Sequence, residues 1–365
     1  MIVVLAGLLL QSISALGQPV QMNGFFDAGQ WGFLDSRGKV VIPPAFDEVG
    51  SFHGDLAPVR KGKRWGLLHK SGKLVVDYRY DSQPRWRGEI PIAVQEPGSR
   101  KSGYIDQEGT SVIPAEFDRA WPFSEGRALV KKDGKLFFID NAGTQAFESV
   151  FDRAGFFHEG MAWILVEGKL GYINRSGNIV IAPRFEHLLP SELHDFSDGL
   201  AAIAREEKHP TVNWKIRRWG YIDKTGKVVI PYTFDNARTF SEGLAAVHDG
   251  FHWGFIDKSG KVVIPLRYQY VHGFHHSLAA VAVKDGQWGY IDHGGVMKIA
   301  AQFSEAGDFS ADGIAEVRFP MRPVFDAYPG RVGLGPPSDL RSAWWGYIDT
   351  SGQYIWNNKS TRVSH

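Results

Sequence analysis

The chain has 365 residues, with 41 Lys and Arg against 40 Asp and Glu and a formal net charge of +1, which gives no support to binding of nucleic acid or of an acidic membrane. Aromatic residues make up 13% of the chain and 42 residues are glycine, a composition that favours a folded protein over a disordered one. There is no cysteine, so disulfides, thiol nucleophiles and cysteine-ligated zinc are excluded.

Residues 1–17 have the pattern of a secretory signal peptide. The apolar run at 2–10 is shorter than the roughly 20 residues that cross a bilayer, and Ala15, Leu16 and Gly17 form a small-x-small cleavage site. No Lys or Arg precedes the run, so a retained anchor and a misassigned start stay open as alternatives. We expect a cleaved signal, a secreted, periplasmic or cell-surface protein, and no membrane span in the mature chain.

From about residue 25 to residue 356 one motif recurs nine times. Its centre is the pentapeptide WGYID at 219–223. The basal spacing between copies, as from Trp219 to Trp253, is about 34 residues, a period typical of repeat architectures. The well-preserved copies start at Trp31, Trp219, Trp253, Trp288 and Trp345, and the decayed copies start at Trp65, Ser102, Leu136 and Leu170.

Each copy predicts three short strands. The pentapeptide is a β-favouring run, and the Asp that ends it is followed three residues later by Gly, which is turn chemistry. A second β-branched run follows at 227–231 and ends on proline. A linker of about ten residues leads to a third apolar run at 244–247. Because no segment shows helical periodicity, we predict an all-β fold.

This frame resembles the tryptophan–glycine (WG) repeat family of bacterial proteins over residues 25–356, almost all of the mature chain. The resemblance implies a repeat scaffold and no particular reaction, and members of the family are often presumed to mediate interactions. The copies depart from the frame at Ser102, Leu136 and Leu170 in the Trp position, Phe137 in the Gly position, and His69 and Asn174 in the Asp position.

One unit cannot bury its apolar face alone, so neighbouring units must stack. Propeller blades usually have four strands, whereas these units have three predicted strands, and nine is a high number for a ring. No further strand is evident that would join the two ends. We therefore expect an open β-solenoid or superhelix, with a propeller-like closed ring as the alternative, and a polar tail at 357–365.

The repeated aromatic and acidic positions have a structural and a functional interpretation. The Trp column favours packing between units over ligand stacking, and the Asp column favours turn capping over calcium binding, which needs several oxygens in one loop. These structural positions are Trp31, Trp65, Trp219, Trp253, Trp288 and Trp345, together with Asp35, Asp106, Asp140, Asp223, Asp257, Asp292 and Asp349.

No catalytic, cofactor-binding or metal-binding motif is present. The segment 330–335 contains glycines in a G-x-x-G-x-G order, but prolines follow it where a phosphate-binding loop would start a helix. The histidines at 272, 275 and 276 crowd one linker without the spacing of a metal site. We therefore expect a protein that is not an enzyme and carries no cofactor or metal.

Insertions break the array at about 187–195, 204–218 and 319–344, with a smaller one near 95–101. The larger loops combine arginine with aromatic residues, a composition enriched in protein–protein hot spots. The candidate binding residues are Arg205, His209, Trp214, Arg217, Arg322, Phe325, Tyr328, Arg331 and Trp344. With about three units per superhelical turn, these loops would stack on one side of the array.

These features favour a non-enzymatic secreted or periplasmic scaffold that mediates protein–protein interactions, with a protein or an envelope component as partner. A cell-envelope or glycan-binding module is the alternative. An enzyme with a site in the long insertion loops is a third possibility.

Overall fold

The computed structural model describes residues 22–186, 195–208, 215–319 and 345–357. Within these ranges the regular structure is entirely β-strand, which confirms the all-β prediction. The strands form nine antiparallel sheets that follow one another in chain order, and we number these sheets blade 1 to blade 9.

Blade 1 contains β1 (Asn23–Asp27), β2 (Gln30–Leu34) and β3 (Val40–Phe46). Blade 2 contains β4 (Glu48–Val49), β5 (Leu56–Lys61), β6 (Arg64–His69) and β7 (Leu74–Tyr80). Blade 3 contains β8 (Ile92–Gln95), β9 (Ser102–Ile105) and β10 (Ser111–Phe117). Blade 4 contains β11 (Arg119–Ser124), β12 (Arg127–Lys132) and β13 (Lys135–Ile139). Blade 5 contains β14 (Arg153–Ala154), β15 (Met161–Val166), β16 (Lys169–Asn174) and β17 (Ile179–Glu186). Blade 6 contains β18 (Leu200–Lys208), β19 (Lys215–Asp223) and β20 (Val228–Phe234). Blade 7 contains β21 (Asn236–Ser241), β22 (Leu244–His248), β23 (Trp253–Asp257) and β24 (Val262–Tyr268). Blade 8 contains β25 (Tyr270–His275), β26 (Leu278–Ala282), β27 (Trp288–Ile291) and β28 (Met297–Phe303). Blade 9 contains β29 (Glu305–Ala306), β30 (Ile314–Arg318), β31 (Trp345–Asp349) and β32 (Tyr354–Asn357).

A complete blade has four strands, and the three-stranded unit predicted from the sequence is wrong. The extra strand is the second half of the predicted linker: in blade 7, β21 pairs with β22 and places Ala237 opposite Val247. Equivalent first strands begin blades 2, 4, 5, 8 and 9. The pentapeptide forms the third strand, as β23 does in blade 7, and the β-branched run after it forms the fourth.

The glycine of the pentapeptide is required by a bulge in the fourth strand. In blade 7, Trp253 pairs with Tyr268 and Phe255 with Ile264, so the fourth strand carries extra residues between these two pairs. The bulge places the carbonyl oxygen of Ile264 only 2.6 Å from the position that a Cβ on Gly254 would occupy. A side chain there is excluded, which explains why the Trp is followed by Gly.

Blade 4 shows what happens when that glycine is replaced. It carries Phe137 in the Gly position, and the segment 144–151 does not form a regular fourth strand. Only isolated bridges remain, such as the one between Ile139 and Gln145. The aromatic side chain therefore displaces the bulged segment without unfolding the blade.

The hydrophobic core lies between the blades. The described residues form nine hydrophobic clusters, and each cluster combines residues of two consecutive blades. One cluster joins the last blade to the first, with Ile314, Tyr347 and Trp356 of blade 9 against Phe25 and Leu34 of blade 1. Nine interfaces among nine blades are the signature of a closed ring.

The protein is therefore a nine-bladed β-propeller, and the prediction of an open solenoid is wrong. The rings of Phe25 and Trp356 lie 5.5 Å apart between their centroids, and Asn23 donates a 3.2 Å hydrogen bond to Asp312. Each described strand forms backbone pairs only with strands of its own blade. The contact between blade 9 and blade 1 is therefore made by side chains. The sequence analysis expected a ring to need a further strand that joins the two ends, and that expectation was wrong.

A chain of hydrogen bonds also joins consecutive blades at the turns between first and second strands. In blades 4 to 7 a carboxylate in this turn accepts a hydrogen bond from a backbone N–H in the turn of the next blade. The bonds run from Gly160 to Glu125 at 2.8 Å, from Gly199 to Glu159 at 2.9 Å, from Gly243 to Asp198 at 2.7 Å and from Ser277 to Glu242 at 2.9 Å. The four acidic residues have φ between 51 and 54°, a conformation unfavourable for residues other than glycine.

Because neighbouring strands are antiparallel, the connections divide between the two faces of the propeller according to which strands they join. Turns between first and second strands and between third and fourth strands share one face, which we name the cap face after its capping carboxylates. Turns between second and third strands lie on the opposite face, which we name the hairpin face. The connections from one blade to the next also lie on the hairpin face.

Candidate interaction face

The connections that lengthen between second and third strands all open onto the hairpin face. They belong to blades 3, 6 and 9, at 95–101, 204–218 and 319–344. In a ring of nine blades, the described strand ends that flank these connections lie on one face and are a third of the circumference apart. The predicted superhelical stacking is wrong because the array closes into a ring.

The smallest of these connections, in blade 3, is a compact turn. The side chain of Gln95 donates to the carbonyl of Ser99 at 3.1 Å, and the backbone N–H of Gly98 donates to Asp81 at 3.2 Å. Lys101 pairs with Asp118 at 2.7 Å. This turn is therefore anchored to the connections that enter and leave its own blade.

Blade 6 projects further from the face than its neighbour. Its second and third strands continue as a ribbon beyond Ala204 opposite Trp219, from Arg205 opposite Arg218 to Lys208 opposite Lys215. In blade 7 the corresponding strands are joined directly by 249–252. The predicted insertion is thus a continuation of the hairpin over its described part.

Ion pairs and a cation–π contact hold this ribbon against the ring. Lys215 pairs with Glu206 at 2.7 Å, and Arg218 pairs with Asp235 of the next connection at 2.7 Å. The guanidinium of Arg205 lies 4.6 Å from the ring centroid of Tyr232. These contacts join the described part of the ribbon to the fourth strand of blade 6 and to the connection into blade 7.

Two of the predicted binding residues, Arg205 and Arg217, lie in this ribbon, on opposite strands. The other seven lie outside the described residues: His209, Trp214, Arg322, Phe325, Tyr328, Arg331 and Trp344. The predicted signal segment 1–17 and nearly all of the tail at 357–365 also lie outside them.

The structure adds two aromatic residues on this face that the sequence analysis missed. Phe251, in the turn of blade 7, is 82% exposed, and Tyr270, at the start of the first strand of blade 8, is 61% exposed. Asp235 lies between this turn and the ribbon: it pairs with Arg218 at 2.7 Å, and its Oδ2 lies 3.3 Å from the position that a Cβ on Gly250 would occupy. A Phe within a four-residue hairpin turn has no neighbour to cover it, and that position was the available signal.

The Trp column lies where the third strands start, at the edge of the hairpin face. Trp65, Trp219 and Trp253 are buried in the clusters between blades, whereas Trp31, Trp288 and Trp345 are half-buried. In this column Trp31 and Trp345 lie 6.2 Å apart across the interface of blades 1 and 9. The tryptophans therefore contribute to packing between blades.

The Asp column caps the turns on the cap face. Oδ1 of Asp257 accepts backbone N–H bonds from Ser259 at 2.9 Å and Lys261 at 3.1 Å, and Asn174 accepts the equivalent bonds in blade 5. The hydrogen bond from the Ser259 hydroxyl, together with the backbone bonds, lowers the pKa of the Asp257 carboxyl. The same acceptor geometry is present at Asp35, Asp106, Asp140, Asp223, Asp292 and Asp349.

Two histidines, His158 and His272, each lie beside an acidic residue of the next blade. His158 Nε2 lies 3.1 Å from Asp195 Oδ2, and His272 Nδ1 lies 3.0 Å from Asp308 Oδ1. Burial raises the pKa of the Asp195 carboxyl, while the charges of His158 and Arg87 oppose that shift. Among the described residues no group of three or more His, Asp or Glu side chains is arranged to hold a metal ion.

Comparison with known proteins identifies the repeat. The family model described as "WG containing repeat" matches residues 31–65, 103–135, 137–169, 171–208, 219–248, 253–287 and 288–319, which together form more than half of the chain. No curated protein matches the sequence. In the described ranges no helix is long and apolar enough to cross a membrane.

Two solved structures are similar in backbone. The crystal structure of the eukaryotic initiation factor is 14% identical with a TM-score of 0.54, over 78% of this chain and 86% of that one. The structure of BamB from Moraxella catarrhalis is 10% identical with a TM-score of 0.42, over 83% of this chain and 94% of that one. At so low a sequence identity the first likeness concerns the fold alone.

Proposed function

The chain belongs to the WG repeat family, and from its nine-bladed ring we propose that it is a non-enzymatic scaffold that binds a protein partner with its hairpin face. The observation that carries the proposal is the one-sided variation of the blades. The turns that follow the third strands repeat one capped geometry, with Asp in seven blades, Asn174 in blade 5 and His69 in blade 2, whereas the connections on the hairpin face differ in length and composition.

The centre of the proposed contact is the ribbon of blade 6 with the adjacent turn of blade 7. Arginine and aromatic side chains dominate many protein–protein hot spots, and Arg205, Tyr232 and Phe251 lie along this region. The ribbon is held in place before any partner arrives, which reduces the entropy lost on binding. Scattered exposed apolar residues are common; what distinguishes Phe251 is its position beside the ribbon.

Export forms part of the proposal and is supported by the segment 1–17. A secreted or periplasmic protein without cysteine has no thiol at risk of oxidation outside the cytoplasm. The intact mass of the protein recovered outside the cytoplasm tests this part, and the expected result is a chain that starts at Gln18. A full-length chain retained in the cytoplasm would contradict it.

The test of partner binding uses two variants of the hairpin face. The first replaces 205–218 with the four-residue turn of blade 7, and the second is Phe251→Ser. The control is Val262→Ser, which changes a side chain that is 44% exposed on a fourth strand. Each protein is immobilised and exposed to an extract of the cells that produce it, and bound proteins are quantified by mass spectrometry.

We expect both variants to lose the proteins captured by the parent chain and the control to keep them, with unchanged circular dichroism spectra for all four proteins. Equal capture by the shortened ribbon would overturn the assignment of the hairpin face. Binding to insoluble envelope material in place of a protein would instead identify a glycan-binding module.

A further inference from the structure

The segment that enters blade 3 is paired differently from the first strand of blade 4. In blade 4 that strand pairs with the second strand from its first residue, with Arg119 opposite Lys131. In blade 3, which lies wholly within the described residues, the segment 82–84 makes no such backbone pair. An isolated bridge between Arg85 and Ala93 joins this segment to the second strand instead. The inner edge of blade 3 is therefore looser than that of its neighbour.

A pocket of about 210 Å³ opens between blades 3 and 4 where this pairing is lost. Its walls include the arginines at 85 and 119, which come from the two facing blades. Ser82, Gln83 and Gln95 add a hydroxyl and two amide groups. Pockets for drug-sized ligands usually have roughly 300–1,000 Å³, so this pocket suits a smaller, polar molecule.

The pocket lies at the inner edge of the ring. The first strands of consecutive blades contact each other, as β21 and β25 do, which places these strands around the centre. The guanidinium of Arg87, close to Arg85 in the chain, lies 4.3 Å from the ring centroid of Phe156 in blade 5. A side chain of blade 3 reaches past blade 4 where the blades converge, so this part of the chain faces the central channel.

Positive charge is in excess around the pocket. Within the described residues the exposed side chain of Arg85 has neither an ion pair nor a hydrogen bond. The guanidinium of Arg119 lies 4.6 Å from the ring centroid of Trp121 and has no acidic partner among the same residues. Asp118, the acidic residue of the pocket wall, already pairs with Lys101 at 2.7 Å. The two arginines are therefore free to hold an anion.

The cross-strand pair of Arg119 supplies a second, independent observation. Arg119 stands directly opposite Lys131, and like charges in that arrangement are destabilising. The equivalent positions of blades 2 and 9 hold opposite charges that form ion pairs at 2.9 and 3.0 Å: Glu48 with Arg60 and Glu305 with Arg318. An arginine at 119 thus costs stability in the empty protein, and a bound anion would offset that cost.

We propose that this pocket binds a small organic anion, with the carboxylate or phosphate group of the ligand between Arg85 and Arg119. A guanidinium matches the oxygens of either group with two parallel hydrogen bonds. The side chains of Ser82, Gln83 and Gln95 suit the hydroxyl groups of a sugar acid or a sugar phosphate, which share this chemistry. The proposal does not depend on the proposed function, because the ribbon of blade 6 lies in another part of the ring.

Isothermal titration calorimetry of the full chain at low ionic strength tests the ligand class. The probes are glucuronate, glucose 6-phosphate, inorganic phosphate and uncharged glucose. We expect one site per chain for glucuronate or for glucose 6-phosphate, and the tighter of the two identifies the anionic group. Glucose should give no binding heat. Absence of binding by both organic anions, or equal affinity for inorganic phosphate, would overturn the assignment.

Three charge variants test the place of the site and separate binding from folding. Arg119→Glu creates with Lys131 the opposite-charge pair of blades 2 and 9, so its thermal midpoint should equal or exceed that of the parent chain. Both Arg119→Glu and Arg85→Gln should weaken binding of the anionic probe by roughly tenfold or more. Arg153→Glu is the matched control, because it makes the same change at the equivalent position of blade 5, outside the pocket wall.

The control should keep the affinity of the parent chain for the same probe. Unchanged affinity in both pocket variants would overturn the proposal. Equal weakening in Arg153→Glu would also overturn it, because the probe would then respond to the general charge of the channel rather than to this pocket.

Discussion

The hydroxyl of Tyr347 donates a 2.6 Å hydrogen bond to the backbone carbonyl of Gly24, a residue 323 positions earlier in the chain. Burial raises the pKa of this phenol, so it remains a hydrogen-bond donor at neutral and mildly alkaline pH. The bond lies in the cluster that joins blade 9 to blade 1. It therefore links the two ends of a ring that a local sequence pattern could not predict.

Removing this hydroxyl should weaken the ring at its closure. We expect Tyr347→Phe to reduce the free energy of unfolding by about 1 kcal/mol, since a buried hydrogen bond is lost while the ring remains. Tyr290→Phe removes the corresponding bond at the interface of blades 8 and 9 and is the comparison. Urea unfolding of both variants measures the effect, and an unchanged free energy for Tyr347→Phe would contradict a structural role for the bond.

The glycine of the pentapeptide should not tolerate even a methyl group. We expect Gly254→Ala to destabilise the protein by about 2 kcal/mol or more, because the added carbon meets the carbonyl of Ile264 and overpacking of this kind is costly. Gly273→Ala is the control, because its nearest atom would lie 3.7 Å away. Thermal unfolding of the two variants should separate them clearly, and similar midpoints would argue against the bulge as the reason for the glycine.

Glu242, in the turn between the first and second strands of blade 7, should make two opposing contributions to the free energy of unfolding. Its φ of 54° is strained for a residue with a Cβ, while its carboxylate accepts the hydrogen bond of Ser277. Both Glu242→Ala and Glu242→Gly remove the bond, but only glycine relieves the strain. We expect the alanine variant to be less stable than the glycine variant by about 1 kcal/mol, and the reverse order in denaturant unfolding would refute the strain.

The Asp-capped turns should make the free energy of unfolding depend on pH in the acidic range. Hydrogen bonding lowers the pKa of Asp223, Asp257 and Asp292 below 3.8 in the folded protein. For a carboxyl whose pKa is lowered by folding, the stabilisation is present at neutral pH and is lost as the pH falls through that lowered value. Unfolding therefore becomes easier at low pH.

Replacing all three residues by Asn should flatten this dependence. Asn174 already accepts the same turn hydrogen bonds in blade 5, so the acceptor remains while the titrating group is removed. The free energy of unfolding, measured by urea titration at pH 7 and pH 3, should differ less in the triple variant than in the parent chain. An identical difference in both proteins would show that other groups control the acid sensitivity.

Much of the blade was predictable because its signals are local. The run 219–223 and the glycine that follows it at 226 place a strand and a turn wherever they recur, and the structure has both. The first strand was missed because segments such as Arg119–Ser124 and Asn236–Ser241 are mixed in composition. Only pairing with the next strand distinguishes them from a linker.

The binding face was predictable only in part. The insertion at 204–218 was visible as a change in spacing, and the structure shows it continuing two strands of blade 6. Phe251 was not singled out, although its position in a four-residue hairpin turn was a signal of exposure; whether a neighbouring blade would cover it could not be decided from a local pattern. Its 82% exposure depends on the position of the ring.

The amino-acid order alone determined the repeat, the all-β character, the capped turns and the glycine that follows each repeat tryptophan, since each depends on residues within one repeat unit. Closure into nine blades depended instead on the small rotation that packing introduces between one sheet and the next. Each rotation is set by the side chains of two blades, and only their sum around the ring brings Phe25 against Trp356.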